Sequence, residues 1–250
     1  MDLGLSGRRV LVSGGSRGIG KAIVECFLQE GARVAFCARS ANGVVTAQQS
    51  FGSSATGQAV DVTDPDQMKR WVESAADAMG GIDIIVPNVS ALAGGSDLDT
   101  WNKAFQTDML GTVSMFQAAL PFLKKSDAAA VVLISSLSGR EVDLFAEPYG
   151  VLKAALIHYG KTLSARHAAD GIRVNTVSPG NVYFPDGVWG SIEREQPDLF
   201  AQCLSANPMG RMATPEEVAR ATVFLASAAS SFTTGTNLVI DGGLGRGVQF

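Results

Sequence analysis

Histidine and cysteine are scarce in this chain: 2 and 3 of 250 residues. His158 and His167 stand nine apart with no second ligand pair at metal spacing. That pattern predicts no metal site, and both read as helix-surface residues. Cys26, Cys37 and Cys203 are odd in number and far apart, which excludes a disulfide framework and fits a reduced, cytoplasmic protein. Neither sign of charge dominates. The 20 Lys and Arg against 24 Asp and Glu leave a net charge of −4, so no nucleic-acid partner is expected. The doublets Arg8-Arg9 and Lys124-Lys125 read as solvated surface. The longest apolar run, residues 128–134, falls short of the roughly 18 residues that span a bilayer. Met1-Asp2 opens no basic signal segment. A soluble, unexported chain with no membrane partner is expected, and it carries no repeat or low-complexity tract.

Glycine, by contrast, is plentiful, with 28 residues, and the first cluster is informative. Gly14-Gly15-Ser16-Arg17-Gly18-Ile19-Gly20 follows the apolar run Val10-Leu11-Val12 directly. A strand that turns through glycines into a helix aims free backbone N–H groups at one point, and that point attracts a pyrophosphate. Ile19, Ala22, Ile23, Cys26 and Phe27 fall on one helical face, Gly31 ends the helix, and residues 34–37 read as a second strand.

Strand and helix signals then alternate to the end of the chain. Residues 58–60 lead to Asp61, and Asp64-Pro65 offers an N-cap with proline at the first helical position. Met68, Trp71, Val72, Ala75, Ala76 and Met79 form the buried stripe of that helix. Residues 82–86 read as a fourth strand, 101–123 as a long helix, 129–135 as a fifth strand, 149–169 as another long helix and 172–177 as a sixth strand. Residues 179–211, rich in Pro, Gly and aromatics, are too long for an ordinary connection and read as functional. Thr214 to Glu217 resembles a capping box opening a helix to Ala226, and residues 237–240 give the last strand. The expectation is an α/β fold, a Rossmann-type doubly wound parallel sheet of seven strands with helices on both faces. It forms a single dinucleotide-binding and catalytic domain over 1–250, with a substrate lid at about 181–211. Ligands then bind beyond the carboxyl ends of the strands.

Just after the fifth strand comes Ser135-Ser136. Tyr149 lies thirteen residues past Ser136, and Lys153 follows four further on. The i to i+4 spacing puts phenol and ammonium on one helical face. A lysine cation beside a phenol favours the ionised ring oxygen, so the pair suits proton transfer to and from a carbonyl oxygen.

These residues together resemble the short, single-domain branch of the short-chain dehydrogenase/reductase family, similar to 3-oxoacyl thioester reductases and related ketone reductases. The likeness runs from Ser13-Gly14 through Gly20, Asp61-Val62, Asn88, Ile134-Ser135-Ser136, Tyr149 to Lys153, Ile172-Arg173-Val174-Asn175 and Ser178-Pro179-Gly180 to the ending at Gly235 to Gly243. It implies a nicotinamide cofactor and a homotetramer. By that likeness Tyr149 is the general acid/base, Lys153 holds the nicotinamide ribose and tunes Tyr149, and Ser136 orients the substrate carbonyl. The implied cofactor contacts are Gly14, Ser16, Arg17, Gly18, Ile19, Gly20, Arg39, Ser40, Asp61, Val62, Asn88, Tyr149, Lys153, Pro179, Gly180 and Val182, with Asp61 and Val62 at the adenine and Pro179-Gly180 at the nicotinamide. Where an acidic residue would bind the ribose hydroxyls of NAD, the chain has Ala38 followed by Arg39-Ser40, and Arg17 stands in the glycine loop. Two guanidinium groups favour a 2′-phosphate, hence NADP(H).

The chain also departs from the family. Pro87-Asn88-Val89-Ser90 replaces Asn-Asn-Ala-Gly, Asp108 stands where the family places a relay asparagine, Phe184 stands where a threonine is common, and Ser13 replaces a threonine. An ionised Asp108 near Lys153 holds the ammonium proton more firmly, which alters the pH dependence. Leu92, Leu137, Phe145, Phe184 and Trp189 are expected to line an apolar, lidded pocket, with Tyr183, Leu144 and Val142 nearby. The expected reaction is NADP(H)-dependent interconversion of an apolar ketone, a 3-oxoacyl thioester or a cyclic or aromatic ketone, with its secondary alcohol. The alternative is a non-catalytic NADP(H)-binding or regulatory protein of the same fold. The long helices near 101 and 149 carry apolar residues on more than one face, so self-association is expected.

Overall fold

The computed structural model describes residues 2–142 and 147–248. Its elements are β1 Arg9–Ser13, α1 Gly18–Gln29, β2 Arg33–Ala38, α2 Ala41–Phe51, β3 Ala55–Ala59, α3 Pro65–Met79, β4 Ile84–Val86, α4 Leu98–Ala104, α5 Gly111–Leu123, β5 Ala130–Ile134, α6 Glu147–His167, β6 Arg173–Pro179, α7 Val188–Glu195, α8 Pro197–Ser205, α9 Pro215–Ala226 and β7 Asn237–Ile240. The strands form one parallel sheet in the order β3-β2-β1-β4-β5-β6-β7. This is the doubly wound Rossmann-type arrangement. The chain winds outward from β1 to β3, then returns to place β4 on the other side of β1, so the carboxyl ends of β1 and β4 frame the topological switch point.

Both faces of the sheet are covered, which is why its strands read as continuous apolar runs. Alternation within β1 divides the core. Val10 and Val12 pack with Ile23 and Phe27 of α1 and Val218 and Val223 of α9. Leu11 faces the other way, toward Met68 and Trp71 of α3, Met115 and Phe116 of α5, and Leu163 of α6.

Several features differ from the sequence expectation: His167, read as helix surface, is buried against Phe116 with Nδ1 2.9 Å from Asp170 Oδ2, and Arg9, read as solvated, is tied to Asp83. The third strand runs over Ala55–Ala59, so the expected stretch 58–60 meets only its end. This is an edge strand with several exposed positions, and its burial gives little apolar signal. The long helix expected over 101–123 begins earlier and is broken by a π-helical turn, Phe105–Leu110, between α4 and α5. Helices α2, α7 and α8 were not expected at all.

The amino ends of the strands are tied by a buried carboxylate. Asp83, just before β4, accepts hydrogen bonds from Arg9 N at 2.9 Å, Arg9 Nε at 2.8 Å, Arg9 Nη2 at 2.5 Å and Ser126 Oγ at 2.6 Å. Burial pushes this carboxyl up, but the bonds from Arg9 and Ser126 outweigh it and hold the group below its usual value of 3.8. Its folded value is depressed, so the stabilisation is complete above the unfolded value and fades as pH falls through the folded one. Asp83→Ala should therefore cost about 3 kcal/mol of stability at pH 7. Urea midpoints should show the gap between wild type and variant narrowing below about pH 4; a constant gap at all pH values would contradict the assignment.

Candidate active site

At the switch point the glycine loop is fixed from both neighbouring strands. Gly14 N and Gly15 N donate to the Cys37 carbonyl of β2, at 2.8 and 3.0 Å. Asn88, just past β4, donates through its backbone N to Ser13 Oγ at 3.0 Å and through Nδ2 to the carbonyls of Ser13 and Gly14 at 3.1 and 3.3 Å. Ser13 therefore does with its hydroxyl what the expected threonine would do. A Cβ on Gly20 would strike the Gly14 carbonyl, so only glycine lets the helix start this close to the strand. Helix α1 opens at Gly18 with no side-chain cap and no acidic residue in its first turn, which leaves its first N–H groups for an anion. The Cys37 thiol beneath the loop is pushed up to about 12 by burial, against the opposing bond with Gly14, and is no nucleophile.

Beside this loop β2 ends at buried Ala38, with Arg39 and Ser40 exposed. Ser40 caps α2 by accepting from Gly43 N at 3.2 Å, and α2 has no acidic residue in its first turn. Ser16 Oγ lies 3.7 Å from the position a Cβ on Gly43 would take. The glycine loop and the start of α2 thus converge, with Arg17 exposed on the first and Arg39 on the second. Asp61 Oδ1 accepts from Thr63 N and Oγ1, at 2.9 and 2.7 Å, and Val62 is buried beside Gly111 at the start of α5.

The residues expected to react are set by the crossing of β5 and α6. Ser135 Oγ donates to the Lys153 carbonyl at 2.7 Å, and Lys153 Nζ donates to the Ile134 carbonyl at 3.1 Å. A Cβ on Gly139 would stand 2.6 Å from the Lys153 carbonyl carbon, so the loop after Ser136 lies directly on the α6 backbone. Ser136 is buried and accepts from Ser138 N at 3.1 Å. The Lys153 ammonium lies 5.6 Å from the centre of the Tyr149 ring. The one-face spacing read from sequence is therefore the observed arrangement.

Asp108 is drawn into the same place. It sits in the π-helical turn, and its Oδ2 accepts from Ala91 N, on the loop after β4, at 2.8 Å. Its Oδ1 lies 3.2 Å from Lys153 Nζ, with both side chains 2% exposed. This contact is ionic but not aligned as a hydrogen bond, so Oδ1 has no hydrogen-bond partner among the described residues. π-helical turns concentrate at functional sites because the extra residue re-aims side chains.

The expected pocket residues lie on several separate segments. Leu137 follows Ser136 and is half-buried. Leu92 is 52% exposed and holds a left-handed φ of 46°, a strained conformation for a leucine. Trp189 lies in α7. Phe145, with Leu144, falls outside the described residues. Phe184 turns toward the glycine loop, where a Cβ on Gly18 would meet its ring at 2.6 Å. Val182 is buried and bridges to Ala213 at the far end of the insertion, while Pro179 closes β6 beside Ile240. Tyr183 Oη donates to Glu193 Oε2 at 2.5 Å, and this bond raises the phenol above its usual value. The lid ends on Arg211, which grips Glu217 of the α9 capping box at 2.8 and 2.7 Å and, with the Thr214 N–H, holds that carboxyl down at about 2.

Sequence reasoning put Tyr149 and Lys153 on one helical face, as observed, but missed the Ser135 tie to α6 and the Ala91 tie to Asp108. The first was marked by the doubled serine after β5. The second involves a backbone N–H and leaves no trace in residue identity.

Comparison with known proteins extends this picture. The family model described as Enoyl-(Acyl carrier protein) reductase matches residues 14–245. Isoepoxydon dehydrogenase of Penicillium expansum is 38% identical over 259 residues, covering 100% of this chain and 99% of that protein. The 3-oxoacyl-[acyl-carrier-protein] reductase of Vibrio harveyi is 31% identical, with 97% and 99% covered. An NADPH-bound short chain oxidoreductase from Pseudomonas aeruginosa PAO1, described as containing an atypical catalytic center, superposes with a TM-score of 0.90 at 29% identity, with 97% and 99% covered. With this likeness along nearly the whole chain, and with the seven-stranded parallel sheet, the chain belongs to the short-chain dehydrogenase/reductase family and is an oxidoreductase similar to its ketoreductases.

Proposed function

We propose that the chain is an NADP(H)-dependent reductase that interconverts an apolar ketone, a 3-oxoacyl thioester or a cyclic or aromatic ketone, with its secondary alcohol. The observation that carries this reading is the Lys153 ammonium, buried against Asp108 and 5.6 Å from the Tyr149 ring, at the carboxyl ends of β4 and β5. The residues present fit a dinucleotide. The uncapped start of α1 and the close Gly14–Gly20 approach suit a pyrophosphate, and Arg17, Arg39 and the acid-free, serine-capped start of α2 suit a 2′-phosphate. When bound, the nicotinamide supplies or accepts the hydride.

The chain's own residues handle the proton. In reduction the Tyr149 phenol donates its proton to the carbonyl oxygen as negative charge develops there, and the Ser136 hydroxyl holds that oxygen in place. Lys153 favours the phenolate that remains. Its charge is fixed by the Ile134 carbonyl and Asp108, so the ammonium does not swing away between turnovers. Asp108 offers Oδ1 as an acceptor facing Lys153, in place of the family's asparagine. We further propose a homotetramer in the cytoplasm: Leu98, Phe105 and Val151, on α4, the π-helical turn and α6, are 80%, 43% and 53% exposed and invite burial. In the described residues no helix is long and apolar enough to cross a membrane. A second reading, a non-catalytic NADP(H)-binding protein, is favoured by the ring of Phe184 against Gly18, at the start of α1.

The test of catalysis is NADPH oxidation across acyl thioester, cyclic and aromatic ketones beside Tyr149→Phe. Turnover should fall about 10²- to 10⁴-fold with NADPH binding retained, whereas no turnover by either protein supports the second reading. For cofactor choice, Arg17→Ala and Arg39→Ala should each weaken NADPH about tenfold and leave NADH unchanged; equal wild-type dissociation constants for the two nucleotides refute the preference. Asp108→Asn leaves the Lys153 cation unneutralised beside the phenol, so the rate profile should move to lower pH with NADPH binding intact. An unmoved profile places Asp108 outside the relay.

A further inference from the structure

The chain leaves β7 beside the segment expected at the nicotinamide, where Gly180 N donates to the Ile240 carbonyl at 2.9 Å. Asp241 then bends it back, its Oδ1 accepting from Gly243 N at 2.9 Å and its Oδ2 from Gly245 N at 2.8 Å. The next residues follow the end of the lid. A Cβ on Gly242 would lie 3.3 Å from Met209 Sδ, and one on Gly243 would lie 3.7 Å from the Pro208 ring. A Cβ on Gly245 would come within 2.8 Å of Leu137 Cδ1, on the loop that follows Ser136. Finally, one carboxylate oxygen of that same loop, Glu141 Oε1, accepts from Arg246 N at 3.1 Å and Gly247 N at 3.0 Å.

Residues 241–247 thus touch Pro208 and Met209, at the end of the insertion, and the Ser136 loop in turn, bridging the two. A segment with glycine at 242, 243, 245 and 247 has high conformational entropy and would not hold such a path unaided. Two carboxylates, Asp241 and Glu141, supply the order by taking four of its backbone N–H groups. Bonds from N–H groups to an ionised acceptor are stronger than neutral ones, and two successive N–H groups converging on one anion form a specific seat.

We propose that this strap closes the substrate end of the cleft, that Glu141 is its latch, and that the cleft consequently takes a compact ring ketone in preference to a long-chain 3-oxoacyl thioester. The inference rests on the ketone-reductase reading and narrows its substrate class. Glu141 acts through the strap and is a positioning residue. An elongated acyl chain leaving the carbonyl between the Ser136 loop and the lid meets the strap, whereas a ring does not extend that far.

The experiment uses the full chain as wild type, Glu141→Ala, Glu141→Gln and Gly245→Ala. Hydrogen exchange reads the latch: peptides covering 242–248 should exchange about tenfold faster in Glu141→Ala and stay close to wild type in Glu141→Gln, which keeps an acceptor oxygen. In steady-state kinetics the wild type should favour a cyclic ketone such as a substituted cyclohexenone over a long-chain 3-oxoacyl thioester. The kcat/KM ratio should shift about tenfold toward the thioester in Glu141→Ala and Gly245→Ala, chiefly through KM, with the NADPH dissociation constant unchanged. Equal exchange in wild type and Glu141→Ala overturns the latch. A wild type that prefers the long thioester, or a ratio that does not move when the strap loosens, overturns the specificity assignment. A wild type that turns over no carbonyl compound overturns the ketone-reductase reading and the substrate assignment with it, while the exchange data still decide the latch.

Discussion

The upper end of the molecule is organised by one buried ion pair, Lys153 with Asp108. Each side chain is 2% exposed, and either charge alone would carry a desolvation penalty of several kcal/mol. Neither partner can move without breaking a contact to another element. Lys153 is held by the Ile134 carbonyl at the end of β5, and Asp108 by Ala91 N on the loop after β4. A buried pair of this kind is weak evidence for stability and better evidence for register. Here it fixes α6, the π-helical turn and two strand ends relative to one another. That mutual placement sets the Tyr149 ring 5.6 Å from the Lys153 ammonium, the geometry on which the proposed proton transfer rests.

The two ends of the sheet use their polar groups differently. At the amino ends Asp83 has its acceptor positions filled by Arg9 and Ser126, and Arg173 spends its guanidinium on the carbonyls of Leu225, Ala226, Ser227 and Thr233, closing off the end of α9. At the carboxyl ends, among the described residues, α1 opens without a side-chain cap, Asp108 Oδ1 meets Lys153 as an ion pair without an aligned hydrogen bond, and Leu92 is left-handed, while Ser230 Oγ and Asn237 Nδ2, before and at the start of β7, are also buried without a hydrogen bond. Unsatisfied and strained groups are costly to a fold and persist where a ligand or a reaction uses them.

Much of this was legible in sequence because the relevant signals are local. The strand, glycine turn and helix at the start of the chain, the Asp64-Pro65 cap, and the Tyr149 and Lys153 spacing are all short-range patterns, and each stands in the structure as read. What escaped depends on distant partners. Helix α2 has Asn42, Gly43 and Thr46 in its early turns, which weaken helix propensity, and it forms on the Ser40 cap and the burial of Val44 and Ala47. The edge strand β3 lacks the apolar run of a central strand. The π-helical turn is the clearest case. The apolar periodicity of residues 101–123 gives no sign of it, and the partners of Asp108 within the turn, Ala91 and Lys153, lie elsewhere in the chain. Asp108 could be matched to the relay position by register, but its inward aim follows from a backbone N–H that residue identities do not reveal.

The insertion between β6 and α9 is anchored at both ends, by the Val182 to Ala213 bridge and by Arg211 on Glu217, so its path between them is confined. Within that path Phe184 lies against Gly18 of the phosphate loop, and at the far end Met209 and Pro208 lie against the glycines that follow Asp241. One segment therefore contacts the loop suited to the cofactor and the strap beside Ser136. A residue change that widens the lid for a larger substrate also alters what rests on Gly18. In this chain the departure from a threonine to Phe184 makes the contact a large apolar one, for which the threonine's smaller side chain is no substitute. One insertion thus touches both the glycine loop and the glycines after Asp241, so a change that shifts its path alters the two contacts together.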